Sequence, residues 1–414
     1  MKRRDVLLTC AAALGAGWTG TGWAARAALA KASGASGSFG LTPRYDRLLI
    51  LIELKGGNDG LNTVIPYADP AYARLRPTIG IARDKVIPLD ERTGLHPALQ
   101  ALLPLWQDRQ LAIVQGVSYP SPNLSHFRSI EIWDTASAAD EYLRAGWLSR
   151  AFAQRPVPPG FAADAVVIGS AEMGPLGNGA RAIALVNPAQ FMRDAHLTRL
   201  VNAHGENPEM AHILDVQRDI TRAADRLRPT GAQAVLKTTF PAGQFGSAVK
   251  TAMQVVSATG VRDAAQPSGA GAGVAVLKIT LNGFDTHHDQ PGQQEALLRQ
   301  FADGMAAMRG ALVEMNRWDS TVIMTYAEFG RRPRENDSRG TDHGTVAPHF
   351  IAGGAVAGGL YGVPPALAQL DGNGNLPPGV DFRSLYATVL DHWWGVDSRL
   401  VLNQRFPTLP VLRV

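Results

Sequence analysis

Cysteine is almost missing from this 414-residue chain: the single one is Cys10. A disulfide framework is excluded, and a chain that loses its first residues has no thiolate for catalysis or metal binding. Charge is sparse and nearly balanced, with 18% charged residues and a formal net charge of +4. Most of that excess lies at the start. Within residues 1–30, Lys2, Arg3, Arg4 and Arg26 face only Asp5, a net +3 that leaves +1 for the rest. No basic surface remains to recruit nucleic acid, so nucleic acid is not an expected partner. Long apolar runs are missing too: no segment reaches the roughly 20 residues that a membrane-crossing helix needs, and no stable span is expected in the mature chain. What is plentiful is hydrophobic residues, at 45%, the composition of a folded chain with a large core.

The first residues, "MKRRDVLLTCAAALGAGWTG", begin with charge and continue through a mildly apolar stretch rich in Ala and Gly. Ala28 and Ala30 then fit a small-x-small cleavage site, which completes the pattern of an export signal. Arg3-Arg4 ahead of Asp5, Val6, Leu7 and Leu8 resembles a twin-arginine signal, used for proteins exported already folded. Residues 1–30 are expected to be that signal and 31–44 a small-residue linker. The twin-arginine export machinery is an expected partner, and the expected location is periplasmic or secreted. Folding before export suits a protein that acquires a cofactor in the cytoplasm.

Beyond the linker, buried-strand patterns alternate with helical ones. "RLLILIEL" (47–54), "LAIVQGV" (111–117), "AVVIGS" (165–170), "VAVLKITL" (274–281), "TVIMTYAEF" (321–329) and "HFIAGG" (349–354) are short apolar runs of the kind buried on both faces. Leu297, Leu298, Phe301, Met305, Met308, Leu312 and Met315 form one stripe at helical spacing, expected to be core. Residues 190–265 look mainly helical. Strands alternating with helices predict an α/β fold with a mainly parallel central sheet covered on both faces. Ligands in such folds collect at the carboxyl ends of the strands.

The polar clusters meet that demand. Asp59 in "KGGNDGLN" follows the first strand, and Ser125 lies beyond the second at the start of a helix. Asp285 and His287 in "GFDTHHDQPG" follow "VAVLKITL", Glu328 closes "TVIMTYA", and Asp342 and His343 fall in the loop after it. Carboxylates with neutral imidazoles suit zinc, manganese or a similar divalent ion, and up to two ions would clamp the attacking and leaving oxygens of a phosphoryl displacement. His288 can hardly share a site with His287 in extended chain, because neighbouring side chains point apart; His287 is the better candidate. A hydroxyl at Ser125 sits where helix N–H groups favour a tetrahedral anion, and it serves equally well as a plain N-cap. Asp59 is equally at home as a turn residue. Asp371, His392 and His96 look structural.

Several motifs in this order, "LKGGNDGLNTVIPYADPAY", "LHPALQALLPLW", "QGVSYPSPNLSHFRSIEIW", "FDTHHDQ", "AEFGRR", "GTDHGTVAP" and "DFRSLYATVL", resemble domain-of-unknown-function family 1501, grouped with the alkaline-phosphatase-like superfamily. The resemblance implies a single alkaline-phosphatase-like domain over 45–414 with a helical insertion around 190–265. It also implies Ser125 as nucleophile, with Asp59, Asp285, His287, Glu328, Asp342 and His343 as metal ligands, and Arg128 and Arg331 as anion clamps. His126 is a further imidazole that could complete the set. The chain departs from the superfamily pattern in the Asp285–His287 spacing and in Glu328-Phe329 where Asp-His is usual. The sulfatase signature fails at Pro122, where Arg is required. The expectation is an exported metal-dependent hydrolase of phosphate, less readily sulfate, esters, with a small-molecule or glycan ester as substrate. The alternative is a non-catalytic envelope binding or assembly protein on a degenerate form of the same fold.

Overall fold

The computed structural model describes residues 42–186, 236–259 and 273–413. The expected signal peptide and most of the expected helical insertion lie outside the described residues. Pro43–Val414 form one compact unit, and Arg44 is already tied into it, donating its backbone N–H to the Trp394 carbonyl.

Nine strands build the central sheet: β1 Leu48–Lys55, β2 Leu111–Ser118, β3 Ala163–Ile168, β4 Ala182–Leu185, β5 Val274–Asn282, β6 Thr321–Tyr326, β7 Ala347–Ala352, β8 Gly359–Gly362 and β9 Val380–Asp381. Their order is β8-β2-β7-β6-β1-β5-β3-β4, with β9 also pairing β2. All neighbours run parallel except β7, which is antiparallel to both β2 and β6. The expected mainly parallel sheet is therefore present.

The apolar runs form strands because each side chain has a helix layer to enter. Along β1, Leu48, Ile50, Ile52 and Leu54 enter one core while Leu49 and Leu51 enter the other, the period-2 alternation of a strand. The first core is closed by helices Gly243–Thr259 and Gln290–Glu314. The second is closed by helices His126–Thr135 and Trp147–Gln154 and by the segment Arg383–Trp394. With a short helix at Pro70–Leu75, these are α1 (70–75), α2 (126–135), α3 (147–154), α4 (243–259), α5 (290–314) and α6 (383–388, continuing as a π-turn to 394). On α5, Leu298, Phe301, Met305, Met308 and Leu312 are fully buried, each contributing roughly 1.5–3 kcal/mol by leaving water. Met315, at the end of the stripe, is only partly buried against the same core.

Because β1, β5 and β6 are adjacent and parallel, their carboxyl ends open on one edge. That edge receives the loops carrying the polar clusters.

Candidate metal centre

Two glycines let the strand-end loops approach. Gly56 follows β1 with φ +114°, and a Cβ there would lie 2.4 Å from the backbone nitrogen of Asp285; glycine meets both demands. Phe284 N–H in turn donates to the Lys55 carbonyl at 3.0 Å, extending the pairing of β1 and β5 by one residue. A Cβ on Gly340 would lie 2.1 Å from the carbonyl oxygen of His287. After β6, Gly330–Arg331 pairs antiparallel with His343–Gly344, placing His343 opposite Arg331.

These loops gather three imidazoles around one carboxylate. Nε2 of His287 and of His343 lie 2.9 and 3.1 Å from Asp285 Oδ1, and Nε2 of His126 lies 3.3 Å from Oδ2. The Nε2 atoms of His287 and His343 are 3.1 Å apart. The other ring nitrogen of each histidine faces an oxygen: His126 Nδ1 meets Glu328 Oε1 at 2.9 Å, His343 Nδ1 meets the Leu124 carbonyl at 2.8 Å, and His287 Nδ1 lies 3.6 Å from Asp342 Oδ1. A proton held on Nδ1 by an oxygen acceptor leaves the Nε2 lone pair free, the arrangement that metal-binding histidines use.

The spacing fits an ion. Bonds of about 2.0–2.2 Å from a central cation put neighbouring ligand atoms roughly 3.0–3.5 Å apart, the separation seen here. One ligand atom each from His126, Asp285 and His343 lie within 4.8 Å of one another. Protonation at Asp285 and His343 favours the same use, while at His126 it works against it. Burial pushes the Asp285 carboxyl up, but the Arg331 guanidinium hydrogen-bonded to it and the His343 ring beside it outweigh that and hold the group at about 2. His343 is lowered, chiefly by burial, and so favours the neutral ring that binds cations. His126 is raised, chiefly by its hydrogen bond to Glu328.

The other expected site residues are placed differently. Asp59 is fully buried and its carboxylate is occupied: Arg76 donates to both oxygens at 2.5 and 2.8 Å, with Leu61 N–H and Gln290 Nε2 completing the set. Both its oxygens are taken up, chiefly by the residue that ends α1, at the position where sequence expects a ligand. Glu328 stands behind the cluster. Its Oε1 accepts from Gly56 N–H and faces His126, so it holds that ring in place. Asp342 is half exposed beside His287. His288 faces solvent, and only its carbonyl is engaged, by Gln293.

Neither arginine is free to clamp an anion. Arg331 is fully buried and donates to the carbonyls of Gly56, Gly57, Phe284 and Thr341 and to Asp285 Oδ1 at 2.7 Å. Arg128 pairs with Glu131, donates to the carbonyls of Ala139 and Glu141, and stacks on Tyr142. Its guanidinium serves the loop after α2. Ser125 is exposed, makes no capping bond, and lies between Leu124, whose carbonyl holds His343, and His126. The open choice between cap and site hydroxyl thus leans away from the cap. His126 is the member of the cluster whose part sequence weighed least, although it adjoins the serine that sequence singled out.

A family model described as "Protein of unknown function (DUF1501)" matches residues 106–404. No functionally curated protein matches the chain. Among solved structures, the chain is similar to a protein of the alkaline phosphatase superfamily from Vibrio parahaemolyticus, at 11% identity, with 87% of this chain and 70% of that one covered and a TM-score of 0.38. It is similar to a sulfatase from Pseudoalteromonas sp. at 12% identity, with 93% and 74% covered and a TM-score of 0.41. A third similar structure is the alkaline phosphatase of the Antarctic bacterium TAB5, at 11% identity, with 78% and 95% covered and a TM-score of 0.31.

Proposed function

This chain belongs to the DUF1501 family, whose description assigns no activity, and from its site we propose that it is an exported, divalent-cation-dependent hydrolase of phosphate esters. One observation carries the reading: three Nε2 lone pairs converge on one ionised carboxylate while each Nδ1 faces an oxygen. A structural core cluster has no need of that arrangement at a half-exposed edge. His126, Asp285, His287 and His343 would hold the ion, with zinc or manganese suited to the donors. A bound ion supplies positive charge to the substrate's oxyanion.

The chain's own residues do the rest. Glu328 and the Leu124 carbonyl keep the protons of His126 and His343 on Nδ1. Ser125, exposed between their anchors, loses its hydroxyl proton and forms the Oγ–P bond as the ester P–O bond breaks and the departing alkoxide takes up a proton. Water then attacks phosphorus, its O–P bond replacing Oγ–P, so that phosphate is released and one proton of the water restores the hydroxyl. The expected export rests on Arg3-Arg4, and replacing both by Lys should retain the full-length precursor in the cytoplasm.

One observation favours a second reading, a non-catalytic envelope binding protein: both expected anion clamps are engaged internally. Turnover of phosphate mono- and diesters by metal-loaded protein separates the two. The hydrolase reading expects Ser125→Ala to lower kcat by roughly 1000-fold or more with fold and ion retained. Unchanged turnover would remove Ser125 from the mechanism, and absence of turnover in the loaded wild type would leave the binding protein.

A further inference from the structure

We propose that the centre takes one ion, and that the buried guanidinium of Arg331 stands where a second cation would otherwise share Asp285. The inference rests on the metal reading above and specifies its stoichiometry.

The donor count comes first. A second ion needs a carboxylate beyond the one at the centre of the imidazoles. Asp59 has none to give, because four donors from Arg76, Leu61 and Gln290 fill its two oxygens in a fully buried setting. Glu328 spends Oε1 on His126 and Gly56. Its Oε2 is buried without a hydrogen-bond partner among the described residues, but the imidazole on this carboxylate, His126, is already turned toward Asp285 through Nε2. Asp342 lies 3.6 Å from His287 and accepts from Asn336 Nδ2 at 3.3 Å.

Charge gives the same answer. Arg331 Nη2 is 2.7 Å from Asp285 Oδ1, so an ion on that oxygen at about 2.1 Å would lie within roughly 5 Å of a fixed positive charge. Arg331 is held by four backbone carbonyls and has no room to withdraw. In formal charges, Arg331 and one divalent ion balance Asp285, Glu328 and Asp342, while Asp59 and Arg76 cancel each other. A second divalent ion would leave two positive charges without a partner beside the buried guanidinium of Arg331. Arg331 is thus a positioning residue for Asp285, and it also limits the number of ions.

The test counts ions in the intact protein, stripped with chelator and dialysed against excess manganese(II). Elemental analysis gives the number per chain, and electron paramagnetic resonance shows whether the ions are isolated or paired. One ion per chain with the hyperfine pattern of isolated manganese, lost in His343→Ala, is the expected result. Two ions per chain would overturn the single-ion inference and leave the metal-dependent reading standing. No tightly held ion in folded protein would overturn the metal reading itself, and this inference with it.

Discussion

Replacing Glu328 by Gln tests whether that residue orients a ligand or is one. The substitution keeps size and an oxygen that can accept from His126 Nδ1, but it removes the charge behind the imidazole. In the wild type Glu328 Oε1 lies 2.9 Å from that nitrogen and accepts from Gly56 N–H at 2.9 Å, with the residue 2% exposed. A hydrogen bond to a charged partner is worth about 1.5–3 kcal/mol net and a neutral one about 1. The change therefore costs ~0.5–2 kcal/mol of His126 alignment, roughly 2- to 30-fold in ion affinity. Losses of this kind for residues behind metal ligands run about 10- to 100-fold, so a tenfold weakening is the central expectation. Competition with a chromophoric chelator at fixed neutral pH measures it, with circular dichroism to show that the fold persists. If Glu328 were itself a ligand, the loss would exceed about 1000-fold. An affinity within about twofold of wild type would refute the orienting role, because the geometry leaves His126 no other acceptor at Nδ1.

Two further changes probe what lies around the centre. Asp59→Asn should lower stability by roughly 3 kcal/mol, because it leaves the Arg76 guanidinium buried without its counter-charge; urea unfolding measures the loss, and the ion count should not change. Loss of the ion in folded Asp59→Asn would restore Asp59 as a ligand. His349 is fully buried against Trp133 and touches Thr325, and burial lowers its pKa from 6.5 to about 3. The unfolded chain binds a proton there below about pH 6.5 and the folded chain does not. Stability should thus fall by about 1.4 kcal/mol per pH unit as pH drops from 6.5 toward 3, and His349→Gln should flatten that part of the wild-type profile. Identical slopes for the two proteins would contradict a buried neutral His349.

The parts of this molecule that sequence predicts well depend on neighbours along the chain. A run such as "RLLILIEL", apolar at six of its eight positions and on both faces of a strand, is expected to be a strand covered on both sides, and β1 is one. Asp285, His287 and His343 are legible for a related reason: acids and imidazoles directly after buried strands fall at the carboxyl edge whatever the loops do. The N-terminal half of the site is less legible because one residue decides it. Ser125 and His126 both stand at the start of α2, and residue type alone favoured the hydroxyl. Only the packing of α2 against the β6 end, with Ser129 donating to the Glu328 carbonyl, shows that the imidazole at 126 turns onto Asp285.

The surroundings of Asp59 and Arg331 are hidden from sequence for a deeper reason, which is that the fate of a charge depends on distant donors and acceptors. Asp59 has the residue type and position of a ligand, and what removes it from the site is Arg76, delivered by α1. Arg331, close after a strand and among acids, has the look of an anion clamp. Yet the loops beside it are built from Gly56, Gly57 and Gly283, residues with no side chains to satisfy the carbonyls around them. Buried carbonyls without donors cost free energy comparable to a lost hydrogen bond each. A guanidinium carries five N–H groups in a rigid fork, and in this structure they reach the carbonyls of Gly56, Gly57, Phe284 and Thr341 as well as Asp285. The glycines that let the strand ends converge thus create the demand that Arg331 meets, and meeting it takes the arginine away from any substrate.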